Sequence, residues 1–81
     1  MKKKIVVLGS TGSIGKTLYK ILNREKKNFE IKLLTANKNH NLLLGQAKKL
    51  KVNNLIITNK KNYEILKKKT KFLNINVFND F

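Results

Sequence analysis

Hydrophobic and polar positions follow two periods along this chain. Lys4 to Leu8 is a short apolar run rich in β-branched residues and closed by Gly9, which reads as a buried strand. From Ser13 to about Arg24 the apolar residues Ile14, Leu18, Ile21 and Leu22 recur at helical spacing, with Lys16, Lys20 and Asn23 on the polar side. Glu25 to Asn28 is a polar connector, and Phe29 to Thr35 reads as a second strand. After a loop over Ala36 to His40, a second helix is predicted from Asn41 to about Lys51, with Leu42, Leu43, Leu44, Ala47 and Leu50 inward. Gly45 falls in its middle, where glycine weakens a helix. Asn53 and Asn54 make a turn before a short strand, Leu55 to Ile57. Asn59 stands where a cap is wanted, ahead of a third helix from Lys60 to about Lys69. Tyr63 and Leu66, with Ile65 beside them, face inward on that helix. Asn74 to Phe78 begins a fourth strand.

Strict alternation of strand and helix predicts a parallel sheet with right-handed crossovers, the Rossmann-like, doubly wound α/β class. The order βαβαβαβ is incomplete for that class, and residues 1–81 are expected to be the first part of a larger domain. A unit of this size buries only about 60% of its unfolded surface and is marginal without a partner.

The chain has no cysteine and no proline. Disulfides and thiolate metal sites are therefore excluded. No apolar run approaches the ~20 residues needed to span a bilayer, and the run behind Met1-Lys2-Lys3-Lys4 is too short for a secretory signal. A cytoplasmic location without membrane contact is expected. The net charge is +15, from 19 basic residues against four acids. Only Arg24 among the basic residues is arginine, and the few aromatics do not interleave with the lysines. Arginine is the usual reader of bases and phosphates, so the charge alone does not argue for a nucleic-acid partner. A basic RNA-binding module is the non-enzymatic alternative; steep salt dependence of binding would reveal it.

The chemistry lies in Val6 to Thr17, VVLGSTGSIGKT, which contains two competing motifs. Gly15-Lys16-Thr17 resembles the end of a P-loop. That motif needs a glycine at position 10, which is Ser10, and a carboxylate after a later strand, which is missing after Thr35 and Thr58. The alternative is a dinucleotide turn with glycines at 9, 12 and 15. Gly9 turns the strand, Gly12 admits the pyrophosphate, and Gly15 lets the helix approach the strand. The amides of Gly12, Ser13 and Ile14 then face an anion at the helix N-terminus, with hydroxyl donors on Thr11 and Ser13. Lys16 becomes an ordinary solvated residue. The second strand discriminates between nucleotides. A binder of NAD places an acid near its end for the ribose 2′-hydroxyl, whereas this chain reads Asn37-Lys38-Asn39. Lys38 and Asn39 suit a 2′-phosphate, which favours NADPH.

Two stretches, KKKIVVLGSTGSIGKTLYKIL and NFEIKLLTANKNHNLLLGQAKKL, resemble the N-terminus of the 1-deoxy-D-xylulose 5-phosphate reductoisomerases. The likeness is clear over residues 3 to about 50 and weaker beyond. It implies an NADPH-dependent, Mg- or Mn-dependent oxidoreductase and isomerase. Such an enzyme converts 1-deoxy-D-xylulose 5-phosphate to 2-C-methyl-D-erythritol 4-phosphate in non-mevalonate isoprenoid biosynthesis. It also implies cofactor contacts at Thr11, Gly12, Ser13 and Ile14, and contacts to the adenosine 2′-phosphate at Asn37, Lys38 and Asn39. The family commonly has glycine where Asn37 stands; asparagine tolerates left-handed backbone. The family's metal carboxylates and substrate residues lie beyond residue 81, so no catalytic or metal-ligating residue is expected here, and the 81-residue chain alone is expected to be inactive. Glu25, Glu30, Glu64 and Asp80 are scattered along the chain, and His40 reads as a surface histidine. The parent protein is expected to be a homodimer acting on a sugar phosphate. Another NADP-dependent Rossmann oxidoreductase is the enzymatic alternative, though the serines in the glycine turn fit it less well.

Overall fold

A computed structural model of the chain describes residues 2–25 and 27–80. Four strands and three helices alternate: β1 (Lys3–Val7), α1 (Ser13–Arg24), β2 (Phe29–Ala36), α2 (His40–Leu50), β3 (Asn54–Ile57), α3 (Lys60–Lys69) and β4 (Asn76–Phe78). The strands form one parallel sheet in sequence order, β1-β2-β3-β4. The crossovers therefore all run in one direction. α2 packs on β2 and β3 and also touches α1 and α3, so the helices form a single layer on one face. This is a Rossmann-like parallel sheet wound in one direction. The reversal of direction that would place helices on the other face does not occur among the described residues.

The core lies between sheet and helices. Val7, Ile31, Leu34, Leu55 and Ile57 from the strands meet Leu22, Leu43, Ala47, Leu50 and Leu66 from the helices. A bulge lets Ile5 pair with Ile31 while Val6 pairs with Leu33, which skips Lys32 and leaves it in solvent. Val7 can then face Leu34 on the helix side. The opposite face is open, with Val6 53% and Phe78 49% exposed.

α1 and α3 have the predicted limits, and the other elements shift by one or two residues, within the fraying of any element end. Three faces differ from expectation. β1, expected to be a buried strand, buries only Val7, and Val6 and the adjoining Leu8 are exposed on the uncovered side. On α1, Ile14 and Ile21 are exposed, and the buried stripe is Gly15, Leu18 and Leu22. On α2, Leu42 lies outside the core cluster, whereas Gln46 is fully buried. The rotation of α1 and the burial of Gln46 have their cause at the turn between β1 and α1.

Candidate functional site

The turn spans residues 8–12, at the C-terminal edge of the sheet. Gly9 takes the left-handed conformation, φ +66°, which lets the chain leave β1 sharply. Its amide donates to Thr35 Oγ1 at 2.8 Å, and the Ser10 amide donates to the Thr35 carbonyl at 2.8 Å. The Ser10 carbonyl accepts from Gln46 Nε2 at 2.9 Å. The Gly12 amide closes the turn onto the Gly9 carbonyl at 3.1 Å. The end of β2 and the buried side of α2 therefore hold three successive polar groups of the turn.

Gly15 explains the rotated face of α1. A Cβ there would overlap the Gly9 carbonyl oxygen and lie 2.6 Å from Ser10 Cα. The helix rests on the turn through a residue with no side chain, so Gly15, Leu18 and Leu22 face inward while Ile14 and Ile21 lie in solvent. Gly12 is different: a Cβ would meet only the Gly9 carbonyl, at an ordinary 3.5 Å. The fold itself has room for a side chain at position 12. The packing of the described residues makes no demand for glycine there.

α1 begins without a side-chain cap, and its first internal bond runs from the Lys16 amide to the Gly12 carbonyl. The amides of Thr11, Ser13, Ile14 and Gly15 have no hydrogen-bond partner among the described residues. No acid stands in the first turn to offset the helix dipole. Uncapped amides at a helix N-terminus are an anion-binding arrangement. Beside them a cleft of about 480 Å³ is walled by Val6, Leu8, Ile14 and Leu18, which offers apolar contact next to the anion position. Ser10 stands where a P-loop needs its first glycine, and the Thr17 hydroxyl is turned back onto the Ser13 carbonyl at 3.2 Å. This geometry does not suit a P-loop.

The loop after β2 lies alongside, and Asn37, Lys38 and Asn39 are all exposed. Asn37 Oδ1 accepts from the Thr58 hydroxyl at 2.8 Å, and its carbonyl accepts from the Asn59 amide at 2.9 Å. These bonds tie the loop to the end of β3 and leave the Asn37 side-chain NH₂ free. Asn37 is not left-handed, so its tolerance of that conformation is not called upon. Asn39 caps α2, its Oδ1 accepting from the Leu42 amide at 3.2 Å. The Lys38 ammonium has no ion-pair partner among the described residues. His40 is half-buried and bonds through Nδ1 to Asn62 Oδ1 at 2.7 Å. Asn62 in turn donates to the Asn59 cap at 2.9 Å. That chain fixes Asn62 Oδ1 as an acceptor and Nδ1 of His40 as the donor.

Sequence reasoning missed Thr35 and Gln46, the residues that hold the turn. The one available signal was Gln46 between Gly45 and Ala47 on the inward side of α2. No three His, Cys, Asp or Glu side chains gather among the described residues. Glu30 pairs with Lys32 at 3.0 Å on the surface, and the hydrogen bond and charge of Lys32 hold its carboxyl below the usual range.

A parallel α/β sheet whose first strand turns on glycine into an uncapped helix defines a Rossmann-like protein. A family profile described as 1-deoxy-D-xylulose 5-phosphate reductoisomerase matches residues 5–80. The chain belongs to that family. It is 47% identical to the reductoisomerase of Pelagibacter ubique over 79 residues, 98% of this chain and 20% of that protein. It is 38% identical to the Porphyromonas gingivalis enzyme over 78 residues, 96% of this chain and 20% of that one. The Zymomonas mobilis reductoisomerase, solved in complex with NADPH, superposes with a TM-score of 0.90 at 27% identity, covering 96% of this chain and 21% of that chain. A reductoisomerase solved with magnesium has the same fold, with a TM-score of 0.80 at 23% identity over 96% of this chain and 19% of that chain. The chain thus spans about a fifth of the length of the curated relatives it matches.

Proposed function

We propose that this chain is the NADPH-binding N-terminal segment of a 1-deoxy-D-xylulose 5-phosphate reductoisomerase. The observation that carries this reading is the row of unpartnered amides at Thr11, Ser13, Ile14 and Gly15, in a member of a family with a solved NADPH complex. The pyrophosphate sits on those amides. Gly9 supplies the turn, Gly12 leaves room for the phosphate, and Gly15 brings the helix close. The Thr11 and Ser13 hydroxyls add donors. The Lys38 ammonium meets the adenosine 2′-phosphate, with the free amide groups of Asn37 and Asn39 beside it. When bound, NADPH supplies the hydride for the reduction. The chain's residues bind and orient it.

The described residues do not provide a carboxylate cluster for a divalent cation, so no metal-dependent step is assigned to them. Within the whole enzyme, the conversion of 1-deoxy-D-xylulose 5-phosphate to 2-C-methyl-D-erythritol 4-phosphate would use metal and substrate groups supplied by the rest of the protein. A homodimeric, cytoplasmic parent enzyme fits this reading. No helix among the described residues is long and apolar enough to cross a membrane.

Titration of NADPH, NADH and MgATP against the chain and two variants tests the assignment. NADPH is expected to bind more tightly than NADH, with MgATP weakest. Lys38→Glu should weaken NADPH by about 1–3 kcal/mol and NADH less, because a charge-assisted contact becomes a repulsion. Lys16→Ala should change little. Loss of MgATP binding in Lys16→Ala, with NADPH unaffected by Lys38→Glu, would restore the P-loop reading.

A further inference from the structure

Gln46 sits in the core on α2, 1% exposed, and its side chain makes one hydrogen bond, from Nε2 to the Ser10 carbonyl. A carbonyl can only accept, so the amide nitrogen must face it and Oε1 must point elsewhere. There Oε1 is buried without a partner, and so is the Ser10 hydroxyl. An apolar side chain of the same size would remove the unpartnered Oε1 but would leave the buried Ser10 carbonyl without its donor, so the exchange is close to neutral for stability. Fold stability alone therefore gives little preference for an amide over an apolar side chain at this position.

Peptide geometry offers an account. The described residues contain no cis peptide, so the Ser10–Thr11 unit is trans. In a trans peptide the C=O and the following N–H point in opposite directions. Holding the Ser10 carbonyl down toward α2 aims the Thr11 amide away from the core, toward the mouth of α1. Thr35 anchors the preceding two amides in the same way, so Thr11 is the first amide of the turn left free to face outward. We infer that Gln46 is a positioning residue, which sets the Thr11 amide against the nucleotide pyrophosphate by gripping the carbonyl of the same peptide. This rests on the NADPH reading above.

Gln46→Met, of nearly the same volume, separates aiming from packing. The Met variant is expected to melt within a few degrees of the parent chain, yet to bind NADPH about tenfold more weakly, the order of one well-aimed amide–phosphate bond. NADH should weaken by the same factor, because the pyrophosphate is common to both and the 2′-phosphate contact is untouched. The NADPH-to-NADH affinity ratio should therefore stay constant, unlike that of Lys38→Glu. Thr35→Val, which frees the Gly9 amide without touching α2, should give the same equal loss. Parent-like affinity in a folded Gln46→Met chain, or a changed nucleotide ratio, would overturn the role assigned to Gln46. Failure of the parent chain to bind NADPH would instead overturn the nucleotide reading, and this inference with it.

Discussion

Gly15 and Lys51 make opposite demands on the backbone. Gly15 has ordinary helical geometry but no space for a side chain, because the Gly9 and Ser10 backbones lie against it. Lys51, which ends α2, has ample space but adopts φ 57°, ψ 48°, the left-handed region that L side chains disfavour. Gly15→Ala should therefore destabilise by about 1–3 kcal/mol through overpacking and displace the turn. Lys51→Gly should stabilise by up to about 1 kcal/mol, since glycine is the usual residue at such a helix end. Paired thermal melts of the two variants check both signs. Much of the turn was legible at this scale, because glycine spacing reports backbone requirements directly. Gln46 and Thr35 were not. A polar residue on a helix or strand reads as surface until its partner, 36 or 26 residues away, is known.

Among the elements, asparagine does work usually shared with serine, threonine and aspartate. Asn39 and Asn59 each cap a helix through Oδ1. Asn59 was legible as a cap from its position before a helical run. Asn39 was expected at the nucleotide, and its carbonyl oxygen is in fact spent on α2, leaving only its NH₂ for a ligand. Asn59→Ala should lower stability by about 1 kcal/mol, measured by denaturant unfolding, since it orphans the Asn62 amide and loosens the Asn62–His40 link. An unchanged midpoint would mean that the α3 cap contributes nothing. The helical period of α1 was legible, and Leu18 and Leu22 face the core as its spacing implies, but Ile14 and Ile21 do not. A scan of apolar residues does not count glycine, yet glycine is what α1 buries against the turn. Ile14 therefore joins the wall of the cleft instead of the core.

For the molecule as a whole, alternation of periods was enough to predict a parallel α/β sheet, because short apolar runs and helical repeats follow one another strictly along the chain. The single-layer arrangement was less legible, since strand order depends on crossover direction, which no local pattern encodes. That arrangement brings the turn after β1 against the end of β2, where Thr35 holds the Gly9 and Ser10 amides, and the loop with Lys38 begins two residues further on. The excess of 19 basic residues over four acids makes overall charge a poor guide to where an anion binds. Site-resolved data are needed, and the most direct are amide chemical shifts of the ¹⁵N-labelled chain during titration with NADPH. The largest shifts are predicted at Thr11 to Gly15, with a second group at Asn37 to Asn39. NADH should reproduce the first group and leave the second nearly still. Shifts spread over the lysine-rich surface of α3, with Thr11 to Gly15 unmoved, would contradict the assignment of this turn as the NADPH site.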